Sequence, residues 1–466
     1  MAKFSKKTST ARVINYAGGE SFKQTDKLEF ASILLTSFLT NQYYRSENDT
    51  QEKITELINS IKDKKFVAKT AIYARNEFGM RSVTHLVAAI LAKTVKGEQW
   101  TKNFYEKIIH RVDDITEIIA AYGEKPLANS LKKGLRQAFD KFNEYQLAKY
   151  RGEGNLVSLV DAVNLLHPVP TEKNGGALKK LVKGQLKSFD TWETELTKAG
   201  SDENAKTQVW VKLIKEKKIG YFALLRNLRN IIEQAPKIVT DAIKLLTDET
   251  LIRKSLVLPF RFSTALEQIE QLNTREARQV LVGLNQAVDI AVKNVPVFKG
   301  ETLVVVDSSG SMEGKPAEIA SLFASILVKS NNADLILFSD DAHYKSVNPT
   351  DSVLTIAKSF RFSMGGTNFH SIFETANRAY DRIIILSDMQ GWVGYNAPTK
   401  TFADYKIRTG ANPKIYSFDL QGYGTMQFPE NNVYCLTGFS EKAFDIMKLF
   451  EKDKNALISE IEKIEL

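Results

Sequence analysis

Residues 303–312 read LVVVDSSGSM: a run of apolar residues that ends in an acid and then alternates serine with glycine. The run is short, rich in β-branched residues and closed by turn formers, so it predicts a fully buried strand opening into a tight loop. Four similar runs follow: ADLILFSD, RIIILSD, KIYSFDL and NVYCLTGF. Helical segments such as KPAEIASLFASILVKS and NFHSIFETANRAY separate the earlier runs. Continuous apolar strands alternating with helices predict a doubly wound parallel sheet covered on both faces. In such sheets ligands sit beyond the carboxyl ends of the strands, which is where DSSGSM falls.

Three predicted loops bring oxygen donors to that edge. Asp307, Ser309 and Ser311 surround the first turn, Thr367 lies in MGGTNFH, and Asp388 closes the strand RIIILSD. Gly365 and Gly366 free the backbone beside Thr367 for close approach. Carboxylates mixed with hydroxyls suit a hard cation that keeps several waters, Mg²⁺ above all. Taken alone, Ser-Gly-Ser also reads as a simple turn and Asp307 as a helix cap. The convergence of three loops favours the metal. No nucleophile–base pair and no GxxxxGK[ST] phosphate loop accompany the site, so it reads as binding rather than catalytic. His343 and His370 read as surface or packing residues.

Upstream of Pro296 the period changes. In YEKIIHRVDDITEIIAAYG, Ile108, Ile109, Val112, Ile115, Ile118 and Ile119 recur at three- and four-residue steps, one apolar helical stripe. KITELINSIKDKKFVAKTAIYARNEFG and KEKKIGYFALLRNLRNIIEQ behave alike. The region reads as helical throughout, with stacked helix pairs of the solenoid kind. The expected division is a helical domain over 1–295 and a sheet domain over 296–466.

At 466 residues the chain is long enough for two cores. Its net charge of +9 comes from the first 300 residues, the remainder being mildly acidic. Only the helical part therefore has reason to face a polyanion. Basic clusters lie at Lys62/Lys64/Lys65, Lys132/Lys133/Arg136, Lys179/Lys180/Lys183/Lys187 and Lys212/Lys215/Lys217/Lys218. Spaced cations on a rigid scaffold suit phosphate contacts without base reading. As an alternative, the lysines only solvate helix surfaces. The single cysteine, Cys435, excludes an internal disulfide and a cysteine-clustered zinc site. With no membrane-length apolar stretch and no signal-peptide core, the expectation is a cytoplasmic protein that touches no membrane.

The five donor positions Asp307, Ser309, Ser311, Thr367 and Asp388 together resemble the metal-ion-dependent adhesion site of von Willebrand factor A domains. That resemblance implies a metal whose coordination is completed by a partner's carboxylate. In the helical part, KYRGEGNLVSLVDAVNLLHPVP (149–170), TWETELTKAG (191–200), GYFALLRNLRNI (220–231) and LPFRFSTAL (258–266) resemble the TROVE domain of the Ro ribonucleoprotein family. The order of the two parts also matches a bacterial-type Ro protein.

The resemblance to Ro implies a ring of HEAT-type helical repeats closed by the A domain, acting as a monomer. It implies that single-stranded 3′ ends of misfolded RNA enter the central hole. It also implies that a small noncoding, Y-like RNA binds the basic outer surface, with an exoribonuclease as a further partner. Lys149, Arg151 and His167 stand at the family's RNA-contact positions, and Tyr150 between them is placed to stack on an unpaired base. The bland alternatives are that Tyr150 packs in a helix interface and that His167 caps a helix before Pro168. Gly152, Glu153 and Gly154 stand where the family is more basic. Arg226 and Arg229 either line the ring or bond across repeats, and Trp192 reads as packing. A second function class, a protein-binding scaffold whose metal grips an acidic partner, fits the same architecture but leaves the basic excess without a purpose.

Overall fold

The computed structural model describes residues 11–466 apart from 24, 37–46, 124–125, 153, 188–191, 258, 422, 424, 429–432, 438–442 and 453–455. Contacts divide the chain into two units: one takes the N-terminal residues to 24 with 191–448, the other takes 25–190 with 449–466.

In the first unit, β3 (Thr302–Asp307), β4 (Asp334–Phe338), β6 (Arg382–Ser387), β7 (Lys414–Asp419) and β9 (Val433–Thr437) are the five runs anticipated from the sequence. They form a six-stranded sheet in the order β5-β4-β3-β6-β7-β9, parallel except at β5 (Ala342–Tyr344), an antiparallel edge strand. Every residue of β3 and β6 is buried, which explains why these strands read as unbroken apolar runs rather than alternating ones. The chain leaves β3 for β4 on one side and meets β6 on the other. The switch point therefore lies between the ends of β3 and β6, at Asp307 and Asp388.

The helices of 192–291 pack within this same unit, as the Tyr221–Gln234 helix does on Val239–Leu246 and Ser263–Glu270. The Arg275–Ala291 helix packs on the Val353–Lys358 helix, where Asp289 accepts the Val353 N–H and pairs with Lys329. The division by contact thus falls near residue 190.

Residues 11–23 depart from the expectation of a wholly helical first part. They form a hairpin, β1 (Arg12–Ile14) and β2 (Glu20–Lys23), extended by β8 (Thr425–Met426). The turn NYAGG makes it possible: Gly18 takes φ +90°, and Asn15 Oδ1 accepts the N–H groups of Ala17 and Gly19.

The second unit is helical. The helices Lys64–Glu77 and Ser82–Thr94 pack together, the latter against Val112–Tyr122, and that one against Leu159–Leu166. The stripe expected over YEKIIHRVDDITEIIAAYG is broken: one helix ends at Lys107 and the next begins at Val112. Asp114 causes the break, its carboxylate accepting the N–H groups of His110 and Arg111 and so capping a new helix. The C-terminal helix Ala456–Glu462 packs on the Lys64–Glu77 helix. Lys69 and Lys107 donate to the carbonyls of Glu462 and Glu465, the favourable place for cations at a helix end. Among the described residues no helix is long and apolar enough to cross a membrane.

Candidate metal centre and basic helical face

Asp307 ends β3 and Asp388 follows β6, both with no exposed surface. Ser309 and Thr367 are almost as deeply buried, and Ser311 is half-buried. Backbone hydrogen bonds bind the three loops into one rim. Gly310 N–H donates to the Gly365 carbonyl (3.1 Å), Met364 N–H to that of Ser308 (3.0 Å), and Trp392 N–H to that of Thr367 (3.1 Å). A Cβ on Gly365 or Gly366 would lie 2.1 and 2.6 Å from the Asp340 carboxylate, so the two glycines let that side chain lie against the loop. The expected five positions therefore stand on three loops tied together at the switch point.

Around the carboxylates the polar groups are arranged as supports. Ser309 N–H donates to Asp307 Oδ1 (2.9 Å) and Ser387 Oγ to Asp307 Oδ2 (2.5 Å). Gln390 N–H donates to Asp388 Oδ1 (3.1 Å), and the Ser309 and Ser311 hydroxyls lie 3.4 Å apart. Asp388 Oδ2 is buried without a hydrogen-bond partner. Burial, and next the Asp388 charge, push the Asp307 carboxyl up to about 7, and burial raises Asp388 as well.

Among the described residues no lysine or arginine stands near enough to offset either charge, and no three His, Cys, Asp or Glu side chains cluster as a metal group. Two buried carboxylates, hydroxyls and an orphaned oxygen fit a hard divalent cation, which would supply the missing positive charge. Asp307, Ser309, Ser311, Thr367 and Asp388 are the residues that would hold it. Met364 and Tyr395, both at positive φ, and Trp392 stand exposed on the adjoining loops, Trp392 to 50%. Sequence reasoning missed Ser387 and Gln390, which support the two acids, because neither stands at one of the five motif positions. His343 is exposed, and the half-buried His370 is engaged by Thr401 and the Asn396 carbonyl.

In the helical unit, Lys149 ends the Glu144–Lys149 helix and is exposed. Tyr150 is half-buried, with the Arg111 guanidinium 4.5 Å from its ring centre and Lys149 Nζ 5.8 Å from it. Arg151 donates to the Leu186 carbonyl (3.0 Å). The Leu159–Leu166 helix starts beside Arg151, whose carbonyl accepts the Leu159 N–H, and ends at His167. His167 is exposed and caps that helix in the left-handed conformation (φ 49°). The structure thus gathers Lys149, Tyr150 and Arg151, with Arg111 as an unanticipated neighbour, while His167 stands at the far end of an eight-residue helix, about 12 Å on at 1.5 Å per residue.

Several of the basic clusters are partly spent on structure. Lys64 donates to the Ile58 and Ile61 carbonyls, and Lys180 pairs with Glu144. Lys179, Lys183 and Lys187 are exposed. Arg229 bonds Glu233 and Gln268, the cross-helix alternative, and Arg226 is exposed. The Trp192 side chain and Glu153 lie outside the described residues.

Residues 24–184 and 181–297 match the TROVE domain. The chain belongs to the TROVE domain family. Mouse telomerase protein component 1 is 24% identical over 344 residues, spanning 54% of this chain and 13% of that protein. The rat protein of the same name is 25% identical over 139 residues, 27% of this chain and 5% of that one. The chain thus spans only a small part of the curated relatives it matches. The crystal structure of the Deinococcus radiodurans Ro (Rsr) protein superposes with a TM-score of 0.65 at 17% identity, covering 92% of this TROVE chain and all of that one. This TROVE chain therefore has the fold of a Ro protein, helical repeats followed by an A-type sheet.

Proposed function

We propose that this TROVE protein is a noncatalytic, cytoplasmic RNA-binding protein of the Ro type, acting in RNA quality control or processing. The observation that carries the reading is the TROVE match across residues 24–297, the part of the chain that holds the basic excess. Single-stranded 3′ ends of misfolded RNA are the proposed ligands of the opening that the Ro fold implies, and a small Y-like RNA that of the basic outer face. Lys149 and Arg151 would meet phosphates, Tyr150 an unpaired base, and His167 a further phosphate along the strand.

The A-type site would hold Mg²⁺ through Asp307, Ser309, Ser311, Thr367 and Asp388. The metal supplies a positive charge on which an acidic group of a protein partner, an exoribonuclease in this reading, would close the coordination. The buried, unpartnered Asp388 Oδ2 supports that assignment.

Competition binding with a 3′-tailed RNA and a blunt duplex of the same sequence tests the RNA half. A single flexible strand enters a ring of helices far more easily than a stiff A-form duplex, so the tailed RNA should bind more tightly, with an affinity that falls steeply as salt rises. Equal affinity for both RNAs with a flat salt dependence would instead favour a protein-binding scaffold.

A further inference from the structure

We propose that the N-terminal hairpin is a strap that holds the Asp388 loop in its cation-ready geometry, with Asn15 and Gln390 as positioning residues. The inference rests on the cation reading of the Asp307/Asp388 site and extends it to a segment nearly 400 residues away in sequence.

The strap reaches the metal loop through buried polar contacts. Asn15 Nδ2 donates to the Gly391 carbonyl (2.7 Å), while its Oδ1 closes the hairpin turn by accepting Ala17 and Gly19 N–H. One side chain thus shapes the turn and docks it. Tyr16 N–H donates to Gln390 Oε1 (2.8 Å). Gln390 in turn donates through its own N–H to Asp388 Oδ1 and through Nε2 to the Asp388 carbonyl and Thr425 Oγ1. From the hairpin backbone to the candidate ligand there is one intervening residue, Gln390, itself 1% exposed.

The far side of the loop is tied as well. Glu20 N–H donates to the Tyr395 carbonyl (2.7 Å), and the Glu20 carboxylate accepts the Ala397 N–H (3.2 Å). Phe22, Ala397 and Met426 form a small buried apolar cluster under these bonds. A Cβ on Gly19 would stand 2.0 Å from the Gly391 carbonyl oxygen, so the approach requires a glycine there.

The loop so held has reason to need holding. Met389 (φ 60°) and Tyr395 (φ 61°) adopt left-handed backbone that non-glycine residues disfavour. Such conformations persist only where surrounding contacts over-determine them. The Asp388 Oδ2 that awaits a partner stands at the start of this loop. Loss of a group that orients a ligand from behind typically costs a metal site about 10–100-fold in affinity. Linkage then makes the effect reciprocal: whatever the docked hairpin adds to cation affinity, the cation adds to hairpin docking.

The test is a calorimetric Mg²⁺ titration of the full chain, with amide hydrogen exchange as the second readout. Asn15→Ala and, separately, Gln390→Ala should weaken Mg²⁺ binding about tenfold. Ile14→Ser, on the exposed outer side of β1, should leave it unchanged. In the wild type, Mg²⁺ should slow exchange at the Tyr16 and Glu20 amides. The two variants cut the link from opposite ends, so a folding defect in one leaves the other to decide, with the melting curve as the check. Wild-type Mg²⁺ affinity in the folded variants, with hairpin exchange indifferent to Mg²⁺, overturns the strap and leaves the cation site standing. A wild-type chain that takes up no Mg²⁺ overturns the cation site and the strap with it.

Discussion

Two buried acidic centres in this molecule are built in opposite ways. In the helical unit, Asp114 is fully buried and surrounded by the chain's own positive charge. Arg75 and Arg81 each reach one of its oxygens at 2.7 Å, and the His110 and Arg111 N–H groups add to it. His85 Nε2 lies 3.2 Å from the same carboxylate while Nδ1 stands 3.0 Å from Glu117. Burial works to raise the Asp114 pKa, but the contacts with His85, Arg81 and Arg75 overwhelm it and hold the carboxyl well below its usual range.

At the sheet edge, Asp307 and Asp388 are buried as deeply, face only hydroxyls, amides and each other, and are pushed up instead. Where the chain supplies the counter-charge, the acid is a structural clamp. Where it withholds it, the acid is free to serve the cation site proposed above.

The largest effect that would break this contrast is at Asp114. Asp114→Ala strands the buried Arg75 and takes from Arg81 one of its three acids, and should cost about 3–5 kcal/mol in urea unfolding of the full chain, with Mg²⁺ no remedy. At the sheet edge the dependence on metal should appear instead. Asp307→Ala removes an uncompensated charge, so it should abolish the Mg²⁺-dependent rise in melting temperature while leaving the metal-free protein folded. In the wild type that rise corresponds to about 2–3 kcal/mol at Mg²⁺ a hundredfold above its dissociation constant. Equal metal-dependent shifts in both proteins would erase the distinction.

The clamp also has a pH signature. Burial pulls His85 down, but its contacts with Asp114 and Glu117 prevail and raise its pKa above the ordinary 6.5. A raised folded pKa stabilises fully below the unfolded value and ceases to do so as pH climbs through the folded one. Stability of the helical unit should therefore decline as pH rises above about 6.5, and His85→Gln should flatten that decline. A slope of the opposite sign in the wild type would mean that the imidazole is buried neutral.

On the RNA side, replacing Lys149, Arg151 and His167 together by alanine should weaken binding of 3′-tailed RNA by about 1–3 kcal/mol without touching Mg²⁺ uptake. The smallest effect separates the two readings of His167. His167→Gly relieves a left-handed non-glycine cap and should stabilise the fold by about 0.5–1 kcal/mol. If the imidazole also meets RNA, the same change lowers affinity, so stability and binding move in opposite directions.

The two centres differ just as much in how they showed in the sequence. DSSGSM and RIIILSD announce the sheet-edge site because their donors stand directly after a strand, and MGGTNFH adds Thr367 from a glycine-rich loop between two helices. The five apolar runs became the five expected strands for the same local reason. Asp114 is invisible by such reasoning. It sits in an apolar-periodic stretch that reads as one helix, and its partners at Arg75, Arg81 and His85 lie up to 39 positions away. The N-terminal hairpin was also missed. RVINYAGGESFK is too short to show a strand period, and its pairing partner at Thr425–Met426 is on the other side of the chain. Short-range pattern finds what short-range pattern builds.

The interleaving of the two units along the chain bears on synthesis. β2 pairs with β8 at residues 425–426, and the helical unit takes up residues 449–466. During translation, the hairpin must wait about 400 residues for its partner strand before it can dock. The helices from 25 to 190 remain without the 456–462 helix, and Lys69 without the carbonyl it caps, until synthesis has passed residue 462. The helical unit cannot finish folding until the sheet unit has been made, so a ribosome stalled between residues 191 and 425 would hold two incomplete bodies at once, each exposing apolar surface to chaperones.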